Sequence, residues 1–374
     1  MKTDQEIIDR LKRLPPSEVS HDLAPAILAK VRSEMAPGKP TRNAIWRWVA
    51  PVAAAAAVTL LLGGLWVAGA KPVEPGQQAM TWLCQTQEPD GSWSVAKWGG
   101  NKQFEIALTG LALMTLMEGS ASDNPAVDKA IAYLVHQQQE DGRFGELFSG
   151  TPYNQGIATL ALGRAYEIRK QQSLKAVLNK AVKVICDNQY VDGGWGYYNE
   201  AKPTSNLSIT LWQIEALRLA ATHGLPGVRP RVERGLQWMA GVAADDGSFG
   251  YQKSGDTPGG ATQTLTAMGA MSLLDPAHTG LMSPVRRQAI KAQMQRLAST
   301  SGPDMDYYCR YFLTAALKKM DETSVHTGLV AMRRDLVNRQ IKRGAEAGSW
   351  TPDTRWGSAG GRIYATTMAS LSLR

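Results

Sequence analysis

Gln189-Tyr190-Val191-Asp192-Gly193-Gly194-Trp195 decides the reading of this chain, because its grammar returns along the sequence at a nearly fixed interval. An Asp-Gly, a small or basic residue and an aromatic recur as Asp90-Gly91-Ser92-Trp93, Asp141-Gly142-Arg143-Phe144, Asp192-Gly193-Gly194-Trp195 and Asp246-Gly247-Ser248-Phe249. The motif returns without its Asp as Gly348-Ser349-Trp350. The glycines are 51, 51, 54 and 101 residues apart. The last interval is two periods, so a degenerate unit is expected between 285 and 330. Asp-Gly supplies a turn residue that tolerates positive φ after a helix, and the following aromatic is placed to return into the unit as a plug.

Around each turn the pattern is the same. A stretch with apolar residues at i, i+3 and i+4 precedes it: AMTWLCQTQ, AIAYLVHQQQ, AVKVICDNQ and GLQWMAGVA. A second helical stretch follows: FEIALTGLALMTLM, YNQGIATLALGRAYEI, LSITLWQIEALRLA and ATQTLTAMGAMSLL. The degenerate unit is IKAQMQRLA followed by YYCRYFLTAALKKM, and the last helix is RIYATTMASLSL. Six hairpins give twelve helices. The second helices are rich in Ala, Gly and Thr, so their backbones can approach closely, as an inner ring requires. A helix pair of this kind cannot bury its apolar face alone, so neighbouring units must stack.

The Gln87–Trp93 and Gln189–Trp195 units resemble the QW repeats of squalene and hopene cyclases and the related repeats of protein prenyltransferase β subunits. The resemblance covers about 77–374 and implies an all-α, six-hairpin (α/α)6 toroid with a cavity at one end of the inner helices. An open solenoid is the competing arrangement of the same repeats. The family's chemistries are then tested against residues. Squalene-type cyclases protonate an alkene with an Asp-x-Asp-Asp motif and stabilise cations on aromatic walls. Here Pro303-Asp304-Met305-Asp306-Tyr307 matches two of the three acids, aromatics are 7% of the chain, and Asp304 or Asp306 reads first as a helix N-cap. Prenyltransferases hold zinc with Asp-x-Cys and a later His. Asp306, Cys309 and His326 lack that spacing, so no metal and no cofactor are expected. Thioester toroids use Cys-Gly-Glu-Gln, of which Cys84-Gln85-Thr86-Gln87 keeps the Cys and Gln alone.

The leading expectation is therefore a ring that binds a ligand or partner without catalysis. Its mouth would be lined by polar and aromatic residues near the starts of the inner helices: Tyr153, Asn154, Gln155, Asn206, Gln263, Asp306, Tyr307, Tyr308, Arg362 and Tyr364. The alternative is a terpenoid cyclase or prenyltransferase-like enzyme on apolar isoprenoids, with Asp306 as acid.

The rest of the chain sets its surroundings. From Trp48 to Ala70 there is no charge, and 23 residues at 1.5 Å each reach roughly the 30 Å of a bilayer core. Lys30, Arg32, Lys39, Arg42 and Arg47 precede this stretch and only Lys71 follows closely, so the positive-inside rule puts the N-terminus in the cytoplasm of a single-pass inner-membrane protein. The domains are then a cytoplasmic helical tether (1–47) with a possible cytoplasmic partner, a transmembrane helix (48–70), a linker (71–76) and an extracytoplasmic toroid (77–374). The formal charge is +8, but residues 1–47 hold nine Lys/Arg against six Asp/Glu and the remaining excess is spread thinly, which argues against nucleic acid as a partner. Cys84, Cys186 and Cys309 are too few for a disulfide framework.

Overall fold

The computed structural model describes residues 74–118, 124–198, 202–257, 262–300, 302, 305–320 and 323–373. The proposed anchor 48–70 and the cytoplasmic segment 1–47 lie outside the described residues. Among the described residues no helix is long and apolar enough to cross a membrane.

Twelve α-helices follow one another among the described residues. They are α1 (Pro75–Thr86), α2 (Glu105–Met117), α3 (Pro125–His136), α4 (Thr151–Arg169), α5 (Gln172–Asp187) and α6 (Leu207–Thr222). The second half holds α7 (Val228–Gly241), α8 (Thr262–Leu273), α9 (Pro284–Ser299), α10 (Tyr307–Leu317), α11 (Thr323–Arg339) and α12 (Gly357–Ser372). The only β pairing among the described residues is two isolated bridges, Gln138 with Phe144 and Ala243 with Phe249, each tying a turn to itself.

Burial separates two classes of helix. In α2 every residue from Ile106 to Leu116 is buried, whereas α1 buries only Ala79, Met80, Trp82 and Leu83. A helix buried all round is an interior one, and a helix with one apolar stripe covers it from outside. The even-numbered helices are accordingly the inner ring. Each packs on the next, and α12 packs on α2, so the ring closes and the open solenoid is excluded.

The turn motif explains how units join. In the third unit Gly193 has φ 98°, and a Cβ there would lie 2.7 Å from the Arg234 carbonyl oxygen on the next outer helix. Only glycine satisfies both the dihedral and the approach. The Asp192 carboxylate accepts from the Gly194 amide (3.0 Å), and the Trp195 indole donates to the Ile185 carbonyl (2.8 Å). Gln189 is the strut: its amide donates to Gly193 O within the turn and to Arg231 O at the start of α7, each at 2.8 Å. Gln87 and Gln138 repeat this arrangement toward α3 and α5. Gln340 completes the circle by donating to Gly348 O and to Pro75 O of α1, each at 2.9 Å. The seam is also sealed at Gly361 (φ 61°), where the α12 backbone breaks and the Arg362 amide donates to Trp98 O (2.8 Å).

The fifth unit, α9–α10, lacks this motif, as the spacing implied. Its connection is held instead by Arg310, whose buried guanidinium donates to Met305 O (3.0 Å) and Gly302 O (2.6 Å).

Candidate functional site

A cavity of about 360 Å³ opens at the N-terminal ends of the inner helices. Leu108, Leu111, Ile157, Leu265, Met268 and Met368 make its apolar depth. Phe104, Tyr153, Tyr197, Tyr251, Tyr308 and Tyr364 make an aromatic collar, and Arg355 and Trp356 stand at the rim, with the guanidinium 5.0 Å from the indole ring centre. No Asp, Glu or His is among the lining residues. Collar rings meet edge to face, Phe104 with Tyr153 at 6.2 Å and Tyr153 with Tyr197 at 6.1 Å.

The collar hydroxyls are engaged by protein groups around them. Tyr153 donates to Ser208 Oγ (3.0 Å), Tyr251 donates to Tyr197 Oη (3.3 Å), and the Trp212 indole donates to Tyr308 Oη. Burial pushes the phenols of Tyr153, Tyr308 and Tyr364 well above their ordinary range, so they stay neutral and none serves as a base. The wall therefore offers π faces and no negative charge, with the Arg355 guanidinium at the rim. Behind it lies one carboxyl. Asp306 caps α10, its Oδ1 accepting from the Tyr308 amide (2.7 Å) and from the Tyr364 hydroxyl (2.9 Å). Its Oδ2 is buried and has no hydrogen-bond partner among the described residues.

Of the ten residues expected at the mouth, Tyr153, Tyr308 and Tyr364 line the cavity, and Asp306 reaches it through Tyr364. Five of the other six are turned to structural work, and Gln263 is not. Asn154 accepts from the Ala107 amide (3.1 Å) and donates to Gln103 O (2.9 Å), welding α4 to α2. Gln155 accepts from the Phe144 amide (3.1 Å) and donates to Ala181 O (3.1 Å). Asn206 caps α6 through the Ile209 amide (2.9 Å), and Gln263 is exposed on α8. The Tyr307 phenol hydrogen-bonds to Arg339, and Arg362 pairs with Glu346 (3.0 Å). The reason is angular: successive residues of a helix diverge by about 100°, so one residue of a first-turn triplet faces the axis while its neighbours meet adjacent helices.

Sequence reasoning missed Phe104, which ends a short 3-10 turn just before α2, and Tyr197, Tyr251, Arg355 and Trp356, which sit in the loops leading into inner helices. A signal was present for two of them. Trp195-Gly196-Tyr197 and Phe249-Gly250-Tyr251 place a tyrosine two residues beyond the plug in consecutive units. The low aromatic content, 7%, suggested a poor cation wall, but the topology gathers scattered aromatics onto one rim.

Comparison with known proteins agrees with this architecture. The squalene-hopene cyclase C-terminal domain model matches residues 54–161, beginning inside the charge-free stretch, and the prenyltransferase alpha-alpha toroid domain model matches residues 198–311. The likeness to the squalene-cyclase and prenyltransferase repeat family is thus shown, and the repeat region is an all-α toroid of that kind. More particularly, the chain is 30% identical over 186 residues to the drimenyl diphosphate synthase of Streptomyces showdoensis, covering 49% of this chain and 33% of that one. The matched stretch is thus about a third of that relative's length. Among solved structures, the type II terpene cyclase MstE from Scytonema superposes with a TM-score of 0.50 at 16% identity, covering 80% of this chain and 96% of that one. The cellobiose 2-epimerase of Spirochaeta thermophila superposes with a TM-score of 0.57 at 14% identity, covering 79% and 92%. These two likenesses concern the fold alone.

Proposed function

We propose that the toroid is a protonation-initiated terpene cyclase for an apolar isoprenoid, with Asp306 as the acid and the aromatic collar as the mould for a cationic chain. The observation that carries this reading is the junction at the cavity wall. An apolar, aromatic space with no carboxylate or imidazole in its lining is joined, through Tyr364, to a carboxyl whose Oδ2 is bare. The similarity to a drimenyl diphosphate synthase supports this reading over the non-catalytic binding module expected from the sequence.

In this scheme Asp306 carries the proton and delivers it where Tyr364 joins the carboxyl to the cavity. The substrate's terminal C=C pair forms the new C–H bond, and the O–H pair stays on the carboxylate. The Tyr308 amide and Tyr364 hydroxyl on Oδ1 stabilise the charge left behind. The tertiary cation is met by the next π bond of the chain, and each ring closure moves the positive charge along the collar, where aromatic faces attract it. Loss of a proton from the last cation restores neutrality, and solvent reprotonates Asp306. The acid differs from the three-carboxyl motif it resembles. Tyr307 occupies the third place and faces Arg339, and Asp304 lies outside the described residues. The charge-free stretch 48–70 is proposed as an anchor that holds the ring beside lipid on the extracytoplasmic side, with residues 1–47 in the cytoplasm.

The test is incubation of detergent-solubilised protein and its Asp306→Asn variant with polyprenyl alcohols and polyprenyl diphosphates. Cyclised product from the first and none from the second is expected. Substrate retained unchanged by both proteins would return the chain to the binding-module reading.

A further inference from the structure

We propose that Arg310 is a positioning residue whose buried guanidinium, paired with Asp335, holds the turn that presents Asp306 to Tyr364 at the cavity wall. Its catalytic consequence rests on the cyclase reading above; its structural part does not.

The argument starts from what the fifth unit lacks. In four other turns a glycine at positive φ is followed by a buried aromatic, with a Gln strut binding the turn to the next outer helix, as at Gln189, Gly193 and Trp195. The unit that carries Asp306 has none of these between α9 and α10. Arg310 stands in for them. Its side chain is 1% exposed, its Nε donates to Met305 O (3.0 Å) and its Nη2 to Gly302 O (2.6 Å), so one planar fork grips the backbone on the approach to Asp306. The same Nη2 lies 2.8 Å from Asp335 on α11, and Asp335 is also 3.4 Å from Arg339, which binds Tyr307. The turn is therefore referenced to the neighbouring outer helix through charged groups, where the turns of Gln87, Gln138, Gln189 and Gln340 use a neutral glutamine.

A buried ion pair is a poor way to gain stability, since an apolar pair of similar volume is usually as good. What the pair adds here is direction: two backbone carbonyls next to the acid are fixed in place. The Tyr308 amide, which donates to Asp306 Oδ1 at 2.7 Å, reports whether that placement holds.

The experiment uses the full chain with Arg310→Met combined with Asp335→Leu, which removes both charges together, and Arg310→Lys alone. Thermal unfolding, amide exchange at Tyr308 by fragment-resolved mass spectrometry, and polyprenyl turnover are measured. The double variant is expected to melt near the wild type while Tyr308 exchanges roughly tenfold faster, the scale of a lost helix cap. Its kcat falls roughly a hundredfold with KM unchanged, the scale of a misplaced catalytic group. Arg310→Lys restores neither, because an ammonium cannot hold two carbonyls in one plane. Wild-type exchange at Tyr308 in the double variant overturns the proposal. Should that variant fail to fold, Asp335→Asn replaces it, with faster Tyr308 exchange expected and unchanged exchange overturning the idea. Fast exchange in a protein whose wild type converts no polyprenyl leaves the positioning role standing and removes the cyclase reading.

Discussion

Tyr364 is the residue through which Asp306 meets the cavity, and its hydroxyl is one of two donors on Oδ1. Tyr364→Phe keeps the aromatic face and deletes that donor. Turnover of a polyprenyl substrate is expected to fall roughly tenfold to a hundredfold, with equilibrium binding of an unreactive polyprenyl analogue unchanged. Burial raises the phenols of Tyr153, Tyr308 and Tyr364, so the folded state binds their protons more tightly than the unfolded chain does. Their contribution to stability is complete below the unfolded tyrosine value of about 10 and is lost as pH rises past it. A titration followed by tyrosinate absorbance should therefore show these residues ionising together with alkaline unfolding and not before it. Little of this was legible from sequence. Asp306-Tyr307-Tyr308 reads as three equivalent candidates, and only helix phase, set by packing against α8 and α12, separates the cap from the arginine contact and the cavity wall.

At the scale of the element the sequence was far more informative, because the repeat turn is local chemistry. A glycine at positive φ, an Asp returning to the amide two residues on, and a buried plug all act within a few residues and leave a periodic trace. The strut is the one part that reaches outward. Gln189→Ala leaves the carbonyls of Gly193 and Arg231 without their donor, and a loss of about 1–3 kcal/mol in denaturant unfolding is expected. Gly193→Ala should cost more, about 3 kcal/mol, because an unfavourable dihedral adds to a Cβ placed 2.7 Å from Arg234 O. What sequence could not supply was the fifth turn, where Arg310 replaces the motif from the fourth residue of α10.

At the scale of the whole molecule, the two ends of the ring are built differently. The N-terminal ends of the inner helices surround the cavity, while the opposite ends are tied by charge. Asp275 pairs with Arg218 of α6 (2.7 Å) and with Lys319 beyond α10 (3.1 Å). Partial burial opposes ionisation there, but these cations and the Ala277 amide prevail and hold the carboxyl well below its usual range. A depressed folded value contributes stability above the unfolded carboxylate value of about 3.9 and loses it as pH falls. Asp275→Asn should thus destabilise the ring by about 1 kcal/mol at neutral pH, and the gap from wild type should narrow in acid unfolding curves. Closure of the ring was expected from stacking logic, but the contacts that make it, α12 on α2 and Gln340 on Pro75, join segments some 250 residues apart and leave no local trace.

Because α1 rests against α12 and takes the Gln340 strut, the order in which the hairpins are strung along the chain is independent of the circle they form. A circular permutant of the repeat region, with α12 spliced to α1 and the chain opened between two other hairpins, would then assemble the same wheel of spokes from a different starting point.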